Sequence, residues 1–138
     1  MTDFTTEILV DGIAAEGDAL VLTAPISFWG GVDPKTGLIA DVRHPEYGLS
    51  ITNRVLFLPA TIGSSSAAAV LLELVYADLA PAAIILHEPD AILLLGLIVA
   101  REMGHKVPPA LRMDRRLFPQ LHGRRVTIGA EGNLTIPD

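Results

Sequence analysis

The chain has 138 residues, half of them apolar and 19% charged, a formal net charge of −6 and no cysteine. That size and composition predict one globular domain over residues 1–138 with a core of its own. The acidic balance argues against nucleic-acid binding, which needs a basic surface to displace counterions, and the missing cysteines exclude disulfides, a thiolate nucleophile and any iron-sulfur cluster ligated by cysteines of this chain. Met1 to Glu7 lacks the basic-then-apolar pattern of a signal peptide, and the uncharged run 91–100 is far short of the ~20 residues that span a bilayer. A cytoplasmic protein without membrane contact is the expectation.

Thr6 to Val10 and Ala19 to Leu22 read as the first strands, with Asp11-Gly12 and Glu16-Gly17-Asp18 as turns. The loop Ser27-Phe28-Trp29-Gly30-Gly31-Val32-Asp33-Pro34-Lys35-Thr36-Gly37 follows. Adjacent glycines permit close approach or positive φ, and Asp33 before a proline is pushed extended, so the loop has a specified shape. Two readings stand side by side: a turn plugged by the tryptophan, or a loop that contacts a ligand. Leu38 to Val42 reads as extended, and His44-Pro45-Glu46-Tyr47-Gly48 as a turn in which His44 either reaches a site or satisfies a backbone group.

Ile51, Val55, Phe57 and Leu58 lead into Pro59-Ala60-Thr61-Ile62-Gly63-Ser64-Ser65-Ser66, a strand-turn-helix junction. Such a turn aims backbone N–H groups and the hydroxyl after the glycine at one place, where a carboxylate or phosphate could be held. The alternative is plain helix capping by Ser64, with Ser65 and Ser66 in the first helical turn. Val70, Leu71, Leu74, Val75 and Leu79 have helical spacing. Ala82 to Leu86 reads as a buried strand, His87 to Asp90 as a loop, and Ala91 to Met103 as a helix with Asp90 as N-cap and Gly104 as stop. Lys106 to Ala110 is too proline-rich for either element. Arg125 to Ile128 and Leu134 to Ile136 read as a terminal hairpin about Glu131-Gly132. Strands, then strand-helix-strand-helix, then strands imply an α/β or α+β domain with a small barrel-like β portion and flanking helices.

The 25–37 loop with its Phe-Trp-Gly-Gly-Val-Asp core, His44-Pro45, Leu58-Pro59 leading to Gly63-Ser64-Ser65-Ser66, and Pro89-Asp90 before Leu95 to Ala100 together resemble the small subunit of the aconitase X family, over about residues 6 to 105. The resemblance implies a swivelling β/β/α domain like the mobile fourth domain of aconitase. It also implies a large partner subunit that holds the iron-sulfur cluster, with no cofactor bound by this chain alone. The implied chemistry is dehydration of a small hydroxy acid. The expected substrate is cis-3-hydroxy-L-proline, giving a pyrroline-2-carboxylate; the alternative is 5-phosphomevalonate in the mevalonate pathway.

Ser64 matches the family's proton-abstracting serine, with Gly63, Ser65 and Ser66 as substrate contacts. A serine hydroxyl is a poor base and must be held as alkoxide by helix N–H groups or by cations of the partner. In aconitases proper the residue two after the serine is an arginine, whereas here it is Ser66, so citrate chemistry is not expected. Ser27, Trp29, Gly30, Gly31, Asp33 and His44 fit a loop facing the cleft or the partner. Arg54 and Arg101 are possible anion partners or simply solvated. A non-catalytic anion-binding or assembly subunit is the competing class of function.

Overall fold

The computed structural model describes residues 1–137. Eight strands, β1 (Thr2–Phe4), β2 (Glu7–Val10), β3 (Ala15–Val21), β4 (Val55–Leu58), β5 (Ala83–Leu86), β6 (Ala110–Arg112), β7 (Arg125–Ile128) and β8 (Leu134–Ile136), lie in the order β1-β8-β7-β3-β4-β5-β6-β2. β3 to β6 are parallel, while β7, β8 and β1 on one flank and β2 on the other run antiparallel to their neighbours. Laid flat, eight strands would hold β1 and β2 roughly 34 Å apart. These two edges are joined only by Thr5 and Thr6, which span about 11 Å at most. The sheet therefore curls back on itself, as the barrel-like expectation required, and Thr6 Oγ1 fastens the seam by donating to the Gly132 carbonyl.

β4 and β5 read as unbroken apolar runs because both faces are covered. Alternate residues serve opposite cores. Leu56, Leu58, Ile84 and Leu86 pack under the helices α2 (Ala67–Tyr76) and α3 (Ala91–Glu102), while Val55, Phe57, Ala83 and Ile85 face the curled interior with Phe118, Leu121, Val126 and Ile128. Phe57 and Phe118 meet edge to face at 5.1 Å. α2 and α3 cross closely because Gly96 has no side chain: a Cβ there would stand 2.5 Å from the Ala68 carbonyl oxygen. Asp90 caps α3 by accepting the Leu93 N–H at 3.0 Å, and Gly104, at φ +90°, ends it. No helix among the described residues is long and apolar enough to cross a membrane.

Four local expectations are corrected. Glu16-Gly17-Asp18 is not a turn but part of β3: the two carboxylates point outward to Arg125 at 3.0 and 3.3 Å, and Gly17 faces inward against the Asn53 carbonyl. Ala110 opens a real strand, β6, which slots between β5 and β2 directly after the two buried prolines. Thr2–Phe4 is a strand because β8 offers it a free edge. Leu38 to Val42 is extended only at Leu38 and Ile39, which form single bridges to Ser50 and Val32, before the chain turns at Asp41.

Candidate functional site

Because β3 to β6 run parallel, the segments that leave their C-terminal ends emerge on one side of the sheet, where open α/β folds hold ligands. A cleft of about 570 Å³ lies there. Its walls are Thr61 and Gly63 after β4, His87 and Asp90 after β5, Ile92 at the start of α3, and Arg115 after β6. Thr61 Oγ1 donates to Asp90 Oδ2 at 2.7 Å, so the carboxylate that caps α3 also ties the two strand-end loops together.

Gly63 is exposed; its φ is not in the left-handed region, and a Cβ there would meet nothing within 4 Å. The fold does not demand glycine at this point of the wall. Half-buried Ser64 follows, its Oγ accepting the Ser66 N–H at 3.2 Å and its carbonyl accepting the Ala67 N–H at 3.1 Å. This is cap-like geometry, placed one turn ahead of the helix proper. Ser65 is exposed, and Ser66 occupies the N-cap position of α2 with no side-chain cap bond. The helix starts at Ala67, so Ser65 and Ser66 do not fill its first turn as the capping alternative required.

The tryptophan loop lies against this turn. Ile26 and Thr61 form a parallel bridge in which the Ile62 N–H donates to the Ile26 carbonyl at 2.9 Å. Half-buried Ser27 makes no side-chain cap bond and leads into the short segment α1 (Phe28–Gly31), interrupted by extended backbone at Trp29 and by Gly30 at φ +79°. Phe28, at 1% exposure, is the plug of this loop, and Trp29 is 62% exposed. The tryptophan-plugged reading is thereby overturned. Gly31 is buried against Ile26, and Asp33 forms a turn by accepting the Lys35 N–H at 2.9 Å, its carbonyl taking the Thr36 and Gly37 N–H groups.

His44 is buried and does not line the cleft. One ring nitrogen, Nδ1, accepts the Glu46 N–H at 3.0 Å, which leaves Nε2 to donate to the Ala24 carbonyl at 3.1 Å. Both nitrogens are therefore spent on backbone, the structural one of its two readings. Glu46 in turn accepts from the backbone N–H and hydroxyl of Thr23, two residues beyond β3. Arg54 donates to the carbonyls of Asp18 and Ala19, and Arg101 to that of Asp11, so neither waits for an anion.

Sequence reasoning passed over His87, Asp90 as a tie between loops, and Arg115. His87 organises the far wall: its carbonyl accepts from Arg112 Nε at 2.9 Å and its Nδ1 from the Arg115 N–H at 3.0 Å. Asp114 is held well below the usual carboxylate range, at about 2, chiefly by the side-chain hydrogen bond from Arg116, then by the Arg116 backbone N–H. The available signal was position: each residue follows a buried parallel strand. Among the described residues no group of three or more His, Cys, Asp or Glu could hold a metal ion.

A family model of the aconitase X swivel domain matches residues 3–136. The cis-3-hydroxy-L-proline dehydratase of Pseudomonas aeruginosa is 45% identical over 103 residues, covering 74% of this chain and 18% of that protein, so the chain spans less than a fifth of this longer relative. The phosphomevalonate dehydratase small subunit of Thermococcus gammatolerans is 40% identical over 130 residues, 94% of each chain. Among solved structures, Thermococcus kodakaraensis aconitase X in its holo-form superposes with a TM-score of 0.86 at 30% identity, covering 100% of both chains. A curled α/β sheet with a serine turn at the end of a buried parallel strand, matched along nearly its whole length by that family model, belongs to the aconitase X swivel-domain family.

Proposed function

We propose that this chain is the small subunit of a hydro-lyase that removes water from a small hydroxy acid, with Ser64 as the base for the carbon-bound proton and Gly63, Ser65 and Ser66 as substrate contacts. The observation that carries the reading is the turn itself: a half-buried hydroxyl between a cleft wall and the start of α2, already receiving one backbone N–H. In this reading Ser64 acts as an alkoxide. It takes the proton next to the carboxylate, the C–H electrons form the double bond, and hydroxide leaves from the neighbouring carbon. The N–H groups around the turn stabilise the alkoxide because a helix start carries partial positive charge.

Expulsion of hydroxide requires an acid or a metal. The family resemblance assigns an iron-sulfur cluster to that task, but a chain without cysteine does not fit one. The proposal gives that half of the reaction to a large partner subunit. The names of the relatives that are small subunits support such a partner. The exposed Trp29 loop, beside the serine turn, is the surface that would face it or the shared cleft.

The substrate assigned is cis-3-hydroxy-L-proline, supported by the 45% identity to the Pseudomonas enzyme. Phosphomevalonate is the second reading, favoured by full-length similarity to small subunits bearing that name. The test is anaerobic reconstitution with the large subunit and assay on both compounds, wild type against Ser64→Ala. Turnover of one compound, lost in the variant while the complex still assembles, supports the reading. Unchanged turnover in the variant removes Ser64 as base, and an assembly role alone predicts that result.

A further inference from the structure

Two charged side chains lining the cleft, Glu88 and Arg115, have no hydrogen-bond or ion-pair partner among the described residues, and Arg115 is the cation of the two. Of the arginines from β6 onward, Arg112 donates to the His87 carbonyl, Arg116 is held by Asp114 at 2.8 Å, Arg124 donates to the Pro137 carbonyl, and Arg125 pairs with Glu16 and Asp18. The residue Arg115 lines the cleft, and its guanidinium has no hydrogen-bond or ion-pair partner among the described residues. Its backbone is firmly held: the N–H donates to His87 Nδ1, the carbonyl accepts the Phe118 N–H at 3.1 Å, and Asp114 caps the short turn it begins. A backbone anchored in a cleft wall and carrying a free, planar, five-donor head suits recognition of carboxylate or phosphate oxygens.

The acids nearby do not occupy that head. Asp90 accepts the Thr61 hydroxyl and the Leu93 N–H, Glu88 is exposed, and neither forms an ion pair among the described residues. The opposite wall brings hydroxyls and no cation, since residues 55–72 contain neither Lys nor Arg. Within this chain, the arginine that lines the cleft together with Gly63 is Arg115.

We propose that Arg115 is the anion-binding residue of this cleft and receives the carboxylate or phosphate oxygens of the substrate. The identity of that substrate rests on the hydro-lyase reading; the anion site does not. The test is an NMR titration of the isotope-labelled chain with inorganic phosphate and, separately, with acetate, at constant ionic strength. The expected result is saturable shifts of the Gly63, Ala91 and Arg115 amides, weakened about tenfold or more in Arg115→Gln and partly restored in Arg115→Lys. A response to phosphate alone or to acetate alone identifies which oxygens the site takes. Shifts that do not saturate, or that persist unchanged in Arg115→Gln, overturn the proposal; the remaining resonances show directly that the variant is folded. In the assembled enzyme Arg115→Gln raises KM by about tenfold or more with a smaller change in kcat. A wild-type complex that turns over neither compound refutes the hydro-lyase reading while the titration still decides Arg115.

Discussion

Two neighbouring strand-to-helix junctions, after β4 and after β5, are built from the same parts and finished differently. After β5 the chain satisfies the helix start itself: Asp90 caps α3 through one carboxylate oxygen and accepts the Thr61 hydroxyl through the other. After β4 it does not. α2 starts at Ala67 behind an N-cap residue, Ser66, that makes no side-chain cap bond, Ser64 lends its hydroxyl to one N–H, Ser65 is exposed, and the glycine in the wall is not required by sterics or backbone angle. A junction satisfied by its own side chains holds the fold, and one left under-satisfied at a cavity is available for chemistry.

The largest effect that separates them is on turnover. Ser64→Ala is expected to lower the rate of the assembled enzyme by about 10²- to 10⁴-fold. The melting temperature of the chain should shift by only a few degrees, because a single partly buried hydrogen bond is lost. Rates and thermal melts on the same preparation check both halves. A large loss of stability with a small loss of rate would reverse the roles assigned to the two junctions.

Next in size is the contact that holds both helices in place. Gly96→Ala puts a methyl 2.5 Å from the Ala68 carbonyl and 3.2 Å from Leu71 Cβ, so α2 and α3 must separate. Overpacking of this kind costs about 1–3 kcal/mol, in spite of the better helix propensity of alanine. Urea unfolding measures it. An unchanged midpoint would mean that the helices tolerate the shift and that the serine turn is not held by their crossing.

Asp90→Ala follows, with an expected loss of about 1–2 kcal/mol from the cap. Thr61→Val keeps the cap and removes only the tie between loops. If the two variants destabilise equally, the tie and not the cap is the main contribution; if Thr61→Val is near neutral, the cap is.

How far these junctions were legible in the sequence follows from their pattern. β4 and β5 could be read because a strand buried on both faces is apolar at every position, and α2 and α3 because helical spacing persists over three turns. β1 and β6 have three residues each and carry no period at all; they exist because β8 and β5 present edges to pair with. The charges of Glu16 and Asp18 suggested a turn, yet they are the outward half of a strand whose counter-ion, Arg125, is more than a hundred residues away. The serine turn was visible for its composition, whereas His87 and Arg115 meet only through the pairing of β5 with β6, which no local pattern announces.

The smallest effect belongs to a third junction, after β6, where Asp114 accepts both the backbone N–H and the guanidinium of Arg116. Its carboxyl is lowered from 3.8 to about 2, so the stabilisation it provides is present above about pH 4 and is lost as pH falls through about 2. Arg116→Gln removes the first and largest cause and leaves the backbone donor, so the carboxyl should titrate closer to its ordinary range. NMR titration of the Asp114 side chain against pH measures this directly. The pair is exposed, so the acid midpoint of unfolding should move little. The Arg115 amide, one residue on, should report the same transition, because the cap that fixes the base of the proposed anion-binding residue is the group being protonated. An Arg115 amide that stays still while Asp114 titrates would mean that His87 and the Phe118 N–H anchor that residue without the cap, and the third junction would then resemble the self-contained one after β5 less than the open one after β4.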